Sequence, residues 1–198
     1  NEKVHIIGHQ PPSSCTAAYS WNYNTIVNRY ENTIAGQFFG HAHAESFKMF
    51  YDENDSKRPI SMAFVGPSLT TYSYLNPGYR TYTIDGYYNG TSYWTVDAHT
   101  TIMNLTATNL LNQTVFAKEY DARQAYELKN LFPSGWGDLV ERLSNDLDGK
   151  LMGLVYQYYT KSYADGSQCD HKCRRGLLCD IISPRTEDPH ACDSIPAL

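Results

Sequence analysis

The sequence predicts a mixed α/β fold followed by a small helical region that disulfide bonds hold together. Three observations predict it: short strand-like stretches in the first hundred residues, a change to helical spacing after about residue 106, and four cysteines that follow residue 168. A length of 198 residues suits one domain, or one domain with a small appendage. Hydrophobic residues make up 41% and charged residues 19%, so the chain has enough apolar side chains for a packed core.

Strand candidates fill the first half of the chain. Residues 3–8 alternate in polarity and end in glycine, as a buried strand does. Another strand closes at 37–40. Four further stretches are rich in the β-branched and aromatic residues that suit a pleated sheet: 45–52, 60–66, 79–87 and 93–104. Turn sequences at 76–78 and 89–90 separate these stretches.

Helical spacing appears first near residue 20 and dominates after about residue 106. Ser20 is a candidate N-cap for the first helix. The apolar face of that helix is expected to carry Ile26, Val27, Tyr30 and Ile34. Ser134 is the candidate N-cap of a later helix, whose apolar residues recur at helical spacing: Trp136, Leu139, Val140, Leu143 and Leu147. The stretches 151–159 and 177–182 continue the helical pattern.

Charge and hydropathy exclude two classes of protein. The formal net charge is −5, and basic residues are scattered except at 172–175, whereas nucleic acid-binding proteins usually carry a basic face. No apolar run approaches the roughly 18 residues that cross a bilayer. The sequence therefore predicts neither a nucleic acid-binding surface nor a membrane span. Residues 1–8 contain no initiator Met and no signal-peptide pattern, so we expect the chain to be part of a longer protein or a processed product.

Glycosylation sequons and cysteines indicate an oxidising compartment, so a secreted or lysosomal protein is expected. Four Asn-x-Ser/Thr sequons are candidate glycosylation sites: Asn54, Asn89, Asn104 and Asn112. Four of the five cysteines lie in the tail, and of their three possible pairings the local one costs the least loop entropy. This pairing joins Cys169 to Cys173 and Cys179 to Cys192. Cys15 then needs a partner that this chain does not contain.

A zinc knuckle is the alternative interpretation of the tail. It would use Cys169, His171, Cys173 and Cys179 as ligands. Structural zinc sites prefer two pairs of ligands spaced by two to four residues, and no second close pair follows here. Because the sequons indicate an oxidising compartment, disulfide bonds are favoured over zinc.

Two glycine-histidine elements are the clearest candidates for chemistry. Gly8-His9 follows the first predicted strand, and Gly40-His41-Ala42-His43 follows the second. Open α/β sheets build their sites where loops leave the strands, and neutral imidazole is a good zinc ligand. His41 and His43 share one side if the backbone stays extended. His9, His41 and His43 therefore predict a metal site, against the alternative that they are ordinary surface or core histidines.

Four segments together resemble the acid sphingomyelinases, a family of calcineurin-like metallophosphoesterases. They are Gly-His-x-Pro-Pro at 8–12, Phe-Phe-Gly-His-x-His at 38–43, Pro-Ser-x-Thr-Thr-Tyr at 67–72 and Leu-Asn-Pro-Gly-Tyr-Arg at 75–80. The resemblance extends to the tail cysteines and so covers nearly the whole chain. It implies the carboxyl-terminal half of a metallophosphoesterase β-sandwich flanked by helices. Residues 1–110 would form the last part of the catalytic domain, and residues 111–198 a disulfide-stapled helical subdomain.

The resemblance also implies roles for individual residues. His9 and His41 look like ligands of one zinc ion and His43 like a ligand of a second, with both ions present in the complete enzyme. Tyr72 looks placed to contact a phosphocholine head group, and its alternative is a packed tyrosine at a strand end. The catalytic residues, the other zinc ligands and the disulfide partner of Cys15 belong to the family's upstream half, which is the implied partner of this chain.

The implied reaction is hydrolysis of sphingomyelin, at a membrane surface, to ceramide and phosphocholine. The chain alone is expected to be inactive, because the upstream metal ligands are missing. Two alternatives stay open. One is a related phosphodiesterase that acts on nucleotides, and the other is a secreted module without enzymatic activity that binds lipid or protein.

Overall fold

The computed structural model describes residues 2–195, and it confirms the mixed α/β fold with a disulfide-bonded helical end. The first sheet has the strand order β1-β2-β4-β3. Its strands are β1 (Val4–Ile7), β2 (Ile34–Phe39), β3 (Ser46–Tyr51) and β4 (Pro59–Val65). Strands β1, β2 and β4 run parallel, and β3 is antiparallel to β4. Strand β1 is mostly exposed because it lies at the edge of the sheet, so the expectation of a buried first strand is wrong. The parallel part of the sheet brings the carboxyl ends of β1 and β2 to the same edge.

The second sheet is antiparallel, with the strand order β5-β6-β7. Its strands are β5 (Gly78–Ile84), β6 (Thr95–Met103) and β7 (Phe116–Asp121). Strand β7 lies beyond the predicted boundary at residue 110, where the sequence indicated only helices, and that expectation is wrong for this segment. Tyr120 is the buried side chain of β7, so this edge strand shows no alternation by which it could be recognised.

The helices of the described residues cover both sheets. They are α1 (Ala17–Arg29), α2 (Leu105–Leu111), α3 (Ala122–Ala125), α4 (Pro133–Asn145), α5 (Lys150–Tyr159) and α6 (His171–Ile182). None of the helices in residues 2–195 is long and apolar enough to cross a membrane.

Two predicted N-caps are wrong. Thr16 precedes α1, and Ser20 lies buried inside the helix, where its hydroxyl donates a hydrogen bond to the Pro184 carbonyl at 3.2 Å. Helix α4 begins one residue before Ser134, at Pro133, whose fixed φ and missing N–H suit the first helical position. Ile34 was also expected in the first helix, but it begins β2.

A single apolar cluster joins the first sheet to the carboxyl-terminal helices. Trp136 of α4 is fully buried, and its ring centroid lies 4.5 Å from that of Phe47 and 5.8 Å from that of Phe64. Leu139 belongs to the same cluster. Burying each large apolar side chain contributes about 1.5–3 kcal/mol. The helical part of the chain therefore stabilises the sheet that carries the histidine loops.

A polar contact also links this sheet to α6. Lys48 of β3 is buried, and its ammonium lies 2.5 Å from the carboxylate of Asp180 and 2.8 Å from the Asp180 carbonyl oxygen. Burial lowers the pKa of Lys48, and attraction to Asp180 opposes that lowering. The ion pair thus compensates a charge inside the apolar interface.

Two disulfide bonds lie in the described part of the tail. They join Cys169 to Cys173 and Cys179 to Cys192, with a Cα–Cα distance of 5.2 Å in each pair. These bonds leave no thiolates for the alternative zinc knuckle, and His171 instead contacts Asp148 at 2.7 Å.

Candidate functional site

The two glycine-histidine elements meet at the carboxyl edge of the parallel strands. Ile7, the last residue of β1, is in register with Phe38 of β2. The Gly8 N–H donates to the Phe38 carbonyl at 3.0 Å, and the Gly40 N–H donates to the His9 carbonyl at 2.9 Å. These backbone hydrogen bonds hold the two loops side by side. The expected proximity of the loops follows directly from parallel pairing.

His9 and His41 face each other at this edge. His9 Nε2 and His41 Nδ1 are 3.3 Å apart, the ring centroids are 5.1 Å apart, and both side chains are exposed. Two nitrogen ligands at about 2.0–2.1 Å from one tetrahedral zinc ion are separated by about 3.3–3.4 Å. The observed spacing therefore fits two ligands of one zinc ion.

His43 points elsewhere because the loop backbone is not extended. His41 and His43 have φ values of 71° and 60°, in the left-handed region that residues other than glycine rarely adopt. His43 Nδ1 lies 2.8 Å from the hydroxyl of Ser73, and the Tyr72 ring meets the His43 ring edge-on at 6.2 Å. The expected common side for His41 and His43 is thus not observed. Within residues 2–195, no three His, Cys, Asp or Glu side chains form a group that could hold a metal ion.

The loop 66–77 supplies the contacts of His43. Tyr72 is 81% exposed, so it is not the packed strand-end tyrosine that was the alternative. Sequence reasoning missed Ser73. Ser73 lies between the two family-like segments 67–72 and 75–80. No spacing rule connects a serine to a histidine 30 residues earlier.

A buried polar cluster lies behind the histidine loop. The carboxylate of Glu45 accepts hydrogen bonds from Thr100 at 2.7 Å and from Tyr120, and it pairs with Arg80 at 3.2 Å. Burial raises the pKa of Glu45, and attraction to Arg80 opposes the rise. The Glu45 N–H donates to the Tyr159 carbonyl at 3.1 Å. The backbone two residues after His43 is therefore fixed to the second sheet and to α5.

The four sequon asparagines are all exposed. Asn104 caps α2 by accepting a hydrogen bond from the Ala107 N–H at 2.9 Å, and Asn112 ends the same helix in the left-handed conformation. Asn54 and Asn89 lie in surface loops. Cys15, at the amino-terminal end of the chain, is a half-buried free thiol. These positions are compatible with the predicted glycans and with an external partner for Cys15.

Comparison with known proteins identifies the family. The model of the acid sphingomyelin phosphodiesterase C-terminal region matches residues 58–192. Over 192 residues, 96% of the chain, the sequence is 47% identical to a sphingomyelin phosphodiesterase of Bos taurus and 45% identical to that of Homo sapiens, covering 30% of each. A cyclic GMP-AMP phosphodiesterase of Rattus norvegicus is 32% identical over 92% of the chain and 43% of its own length. The chain therefore belongs to the acid sphingomyelin phosphodiesterase family, as its carboxyl-terminal region.

Proposed function

We propose that this chain supplies the carboxyl-terminal part of a zinc-dependent phosphodiesterase that hydrolyses sphingomyelin to ceramide and phosphocholine. One observation carries the proposal: His9 Nε2 and His41 Nδ1 lie 3.3 Å apart at the carboxyl edge of adjacent parallel strands. The substrate is supported by the bovine and human relatives, which are named sphingomyelin phosphodiesterases.

In this proposal, metal binding and head-group recognition are assigned to different residues. His9 and His41 would hold one zinc ion, and His43 would be a ligand of the second. Zinc, when bound, would supply Lewis-acid chemistry that activates water and stabilises charge on the phosphoryl oxygens. Ser73 contacts Nδ1 of His43, which leaves Nε2 as the ligand atom and fixes the orientation of the ring. The exposed Tyr72 ring offers an aromatic face to the quaternary ammonium of the head group.

We further propose that the catalytic groups and remaining zinc ligands come from an upstream half of the same enzyme, so that this chain alone is inactive. Cys15 would form its disulfide bond with that half. A secreted or lysosomal site of action is supported by the two disulfide bonds and the exposed sequons.

Nucleotide phosphodiester hydrolysis is the second candidate function. It is favoured by the relative of Rattus norvegicus, which is named a cyclic GMP-AMP phosphodiesterase. An exposed aromatic ring such as that of Tyr72 also suits stacking against a nucleobase.

The test is hydrolysis at acidic pH with zinc, measured for the 198-residue chain alone and after refolding with an upstream half from a relative. We expect activity only in the reconstituted sample, with sphingomyelin cleaved faster than cyclic GMP-AMP. His9→Ala and His41→Ala should abolish it, and His190→Ala, at an exposed histidine, should not. Activity in the chain alone contradicts the split site, and faster cleavage of cyclic GMP-AMP favours the second function.

A further inference from the structure

Lys161 combines two unusual properties just after the end of α5. Its side chain is fully buried, although lysine is almost never fully buried unless it is paired. Its φ is 54°, and that of the next residue, Ser162, is 51°. Two consecutive left-handed residues that are not glycine persist only where surrounding contacts determine them. The surroundings of Lys161 therefore determine its conformation.

The side-chain ammonium and the backbone carbonyl of Lys161 both contact the base of the loop 66–77. Its ammonium donates to the Ser68 carbonyl at 3.2 Å, and its own carbonyl accepts from the Asn76 side chain at 3.0 Å. The Ser68 carbonyl also accepts from the Gly78 N–H at 2.9 Å. A Cβ on Gly78 would lie only 3.3 Å from Lys161 Cδ. Lys161 therefore fits against the point where the loop leaves and re-enters the sheets.

Burial disfavours the charged form of Lys161, and nearby carboxyl groups favour it. Burial lowers its pKa, and attraction to Glu45 and Glu119 opposes the lowering. Asn76 is also buried, and its side-chain oxygen accepts from the Leu105 N–H at 3.2 Å. The base of the loop is thus tied to α2, to the turn after α5 and to the second sheet.

Hydrogen bonds within the loop connect its anchored base to its tip. Ser68 Oγ accepts from the Thr70 N–H at 3.1 Å, and Thr70 Oγ1 accepts from the Tyr72 N–H at 3.3 Å. The next residue, Ser73, contacts His43 Nδ1 at 2.8 Å. Residues 69–74 are exposed, so the position of the tip depends on the base of the loop and on the contact with His43.

The end of α5 also positions the backbone that follows His43. Tyr159, two residues before Lys161, accepts the Glu45 N–H at 3.1 Å. The end of α5 thus holds both the segment after His43 and the loop that carries Ser73. We infer that Lys161 is a positioning residue, which sets the distance between Ser73 and His43 and so the orientation of the His43 ring. The inference rests on the proposed function only in assigning His43 to the metal site.

The experiment measures the imidazole ¹⁵N and ¹H NMR signals of His43 in the 198-residue chain, without metal or substrate. Ser73→Ala gives the signals of a His43 ring that has lost its hydroxyl contact. We expect Lys161→Met, which keeps an unbranched apolar side chain but loses the donor, to shift the His43 signals towards those of Ser73→Ala. Lys172→Met, at an exposed lysine, should leave them unchanged, and His190 should not respond in any variant.

A folded Lys161→Met chain with unchanged His43 signals overturns the inference. If this variant shows no cooperative unfolding transition, Asn76→Asp takes its place, since it keeps the acceptor for the Leu105 N–H and removes the donor to the Lys161 carbonyl. A shift of His43 in Asn76→Asp supports the inference, and an unchanged signal overturns it. Because no substrate is involved, failure of this inference is distinguishable from failure of the proposed hydrolysis.

Discussion

Glu119 accepts a hydrogen bond from the hydroxyl of Ser162 at 2.6 Å, which links the edge strand β7 to the turn after α5. Its second carboxylate oxygen is buried and has no polar partner within the described residues. Burial raises the pKa of Glu119 from 4.5 to about 8. The folded protein therefore binds this proton over a pH range in which the unfolded chain has released it.

The first prediction concerns stability and pH. Between pH 4.5 and about 8 the folded state holds more protons at Glu119 than the unfolded state, so the free energy of unfolding falls as pH rises through this range. We expect Glu119 to account for a loss on the order of 1–3 kcal/mol. Urea unfolding at pH 5 and pH 8 measures it. Glu119→Gln should flatten the dependence, whereas Glu141→Gln, at an exposed position, should preserve it. An equal slope in all three proteins contradicts the assignment.

The second prediction concerns metal binding by the histidine pair. His9→Ala or His41→Ala removes one of the two nitrogens that lie 3.3 Å apart, so zinc affinity should fall by at least about 10-fold. Competition with a chromogenic chelator gives the affinity. His5→Ala serves as the control, because His5 contacts the Tyr93 carbonyl instead. Equal zinc affinity in the wild type and in His41→Ala would contradict the assignment of His9 and His41 as ligands of one zinc ion.

The third prediction concerns the interface between the helices and the first sheet. Leu139 is fully buried in the shared apolar cluster, whereas Leu110 is 81% exposed. Leu139→Ala should lower the free energy of unfolding by about 2–5 kcal/mol. Leu110→Ala makes the same chemical change at the surface and should stay within about 0.5 kcal/mol of the wild type. Equilibrium urea unfolding compares them, and equal effects would show that α4 contributes little to stability.

The fourth prediction concerns the two disulfide bonds. Cys179–Cys192 spans 13 residues and Cys169–Cys173 spans four. On the chain-entropy account, the longer loop stabilises by about 3 kcal/mol and the shorter by about 2 kcal/mol. The double variant Cys179→Ser/Cys192→Ser should therefore be less stable than Cys169→Ser/Cys173→Ser. Thermal unfolding under non-reducing conditions ranks the two, and the opposite order contradicts the entropy account.

The sequence predicts the parts of the site that follow from strand direction. His9 and His41 each stand two residues after a parallel strand, so their proximity needs no knowledge of the tertiary structure. The direction of His43 was not predictable in this way, because it depends on two left-handed residues that carry no glycine signal. The roles of Ser73 and Lys161 were not predictable from local pattern, because their partners are 30 and 93 residues away in sequence.

The fold also contains elements that local sequence pattern predicts and elements that depend on distant contacts. Residues with strong periodicity, such as Trp136 and Leu139, identify α4, and its N-cap lies two residues before the predicted Ser134 because Pro133 suits the first turn. Strand β7 has one buried side chain and is defined by its pairing with β6. Local pattern therefore predicts elements that bury a regular face, and tertiary pairing decides the others.

The ion pair between Lys48 and Asp180 joins residues separated by 132 positions, and this has a consequence during translation. Strands β3 and β4 leave the ribosome well before α4 and α6 are synthesised. Until then the apolar face that carries Phe47 and Phe64 lacks the side chains of Trp136 and Leu139 that pack against it. Such long-range contacts slow folding and expose apolar surface to aggregation. The nascent chain therefore passes through a stage in which chaperones have a hydrophobic sheet face to bind.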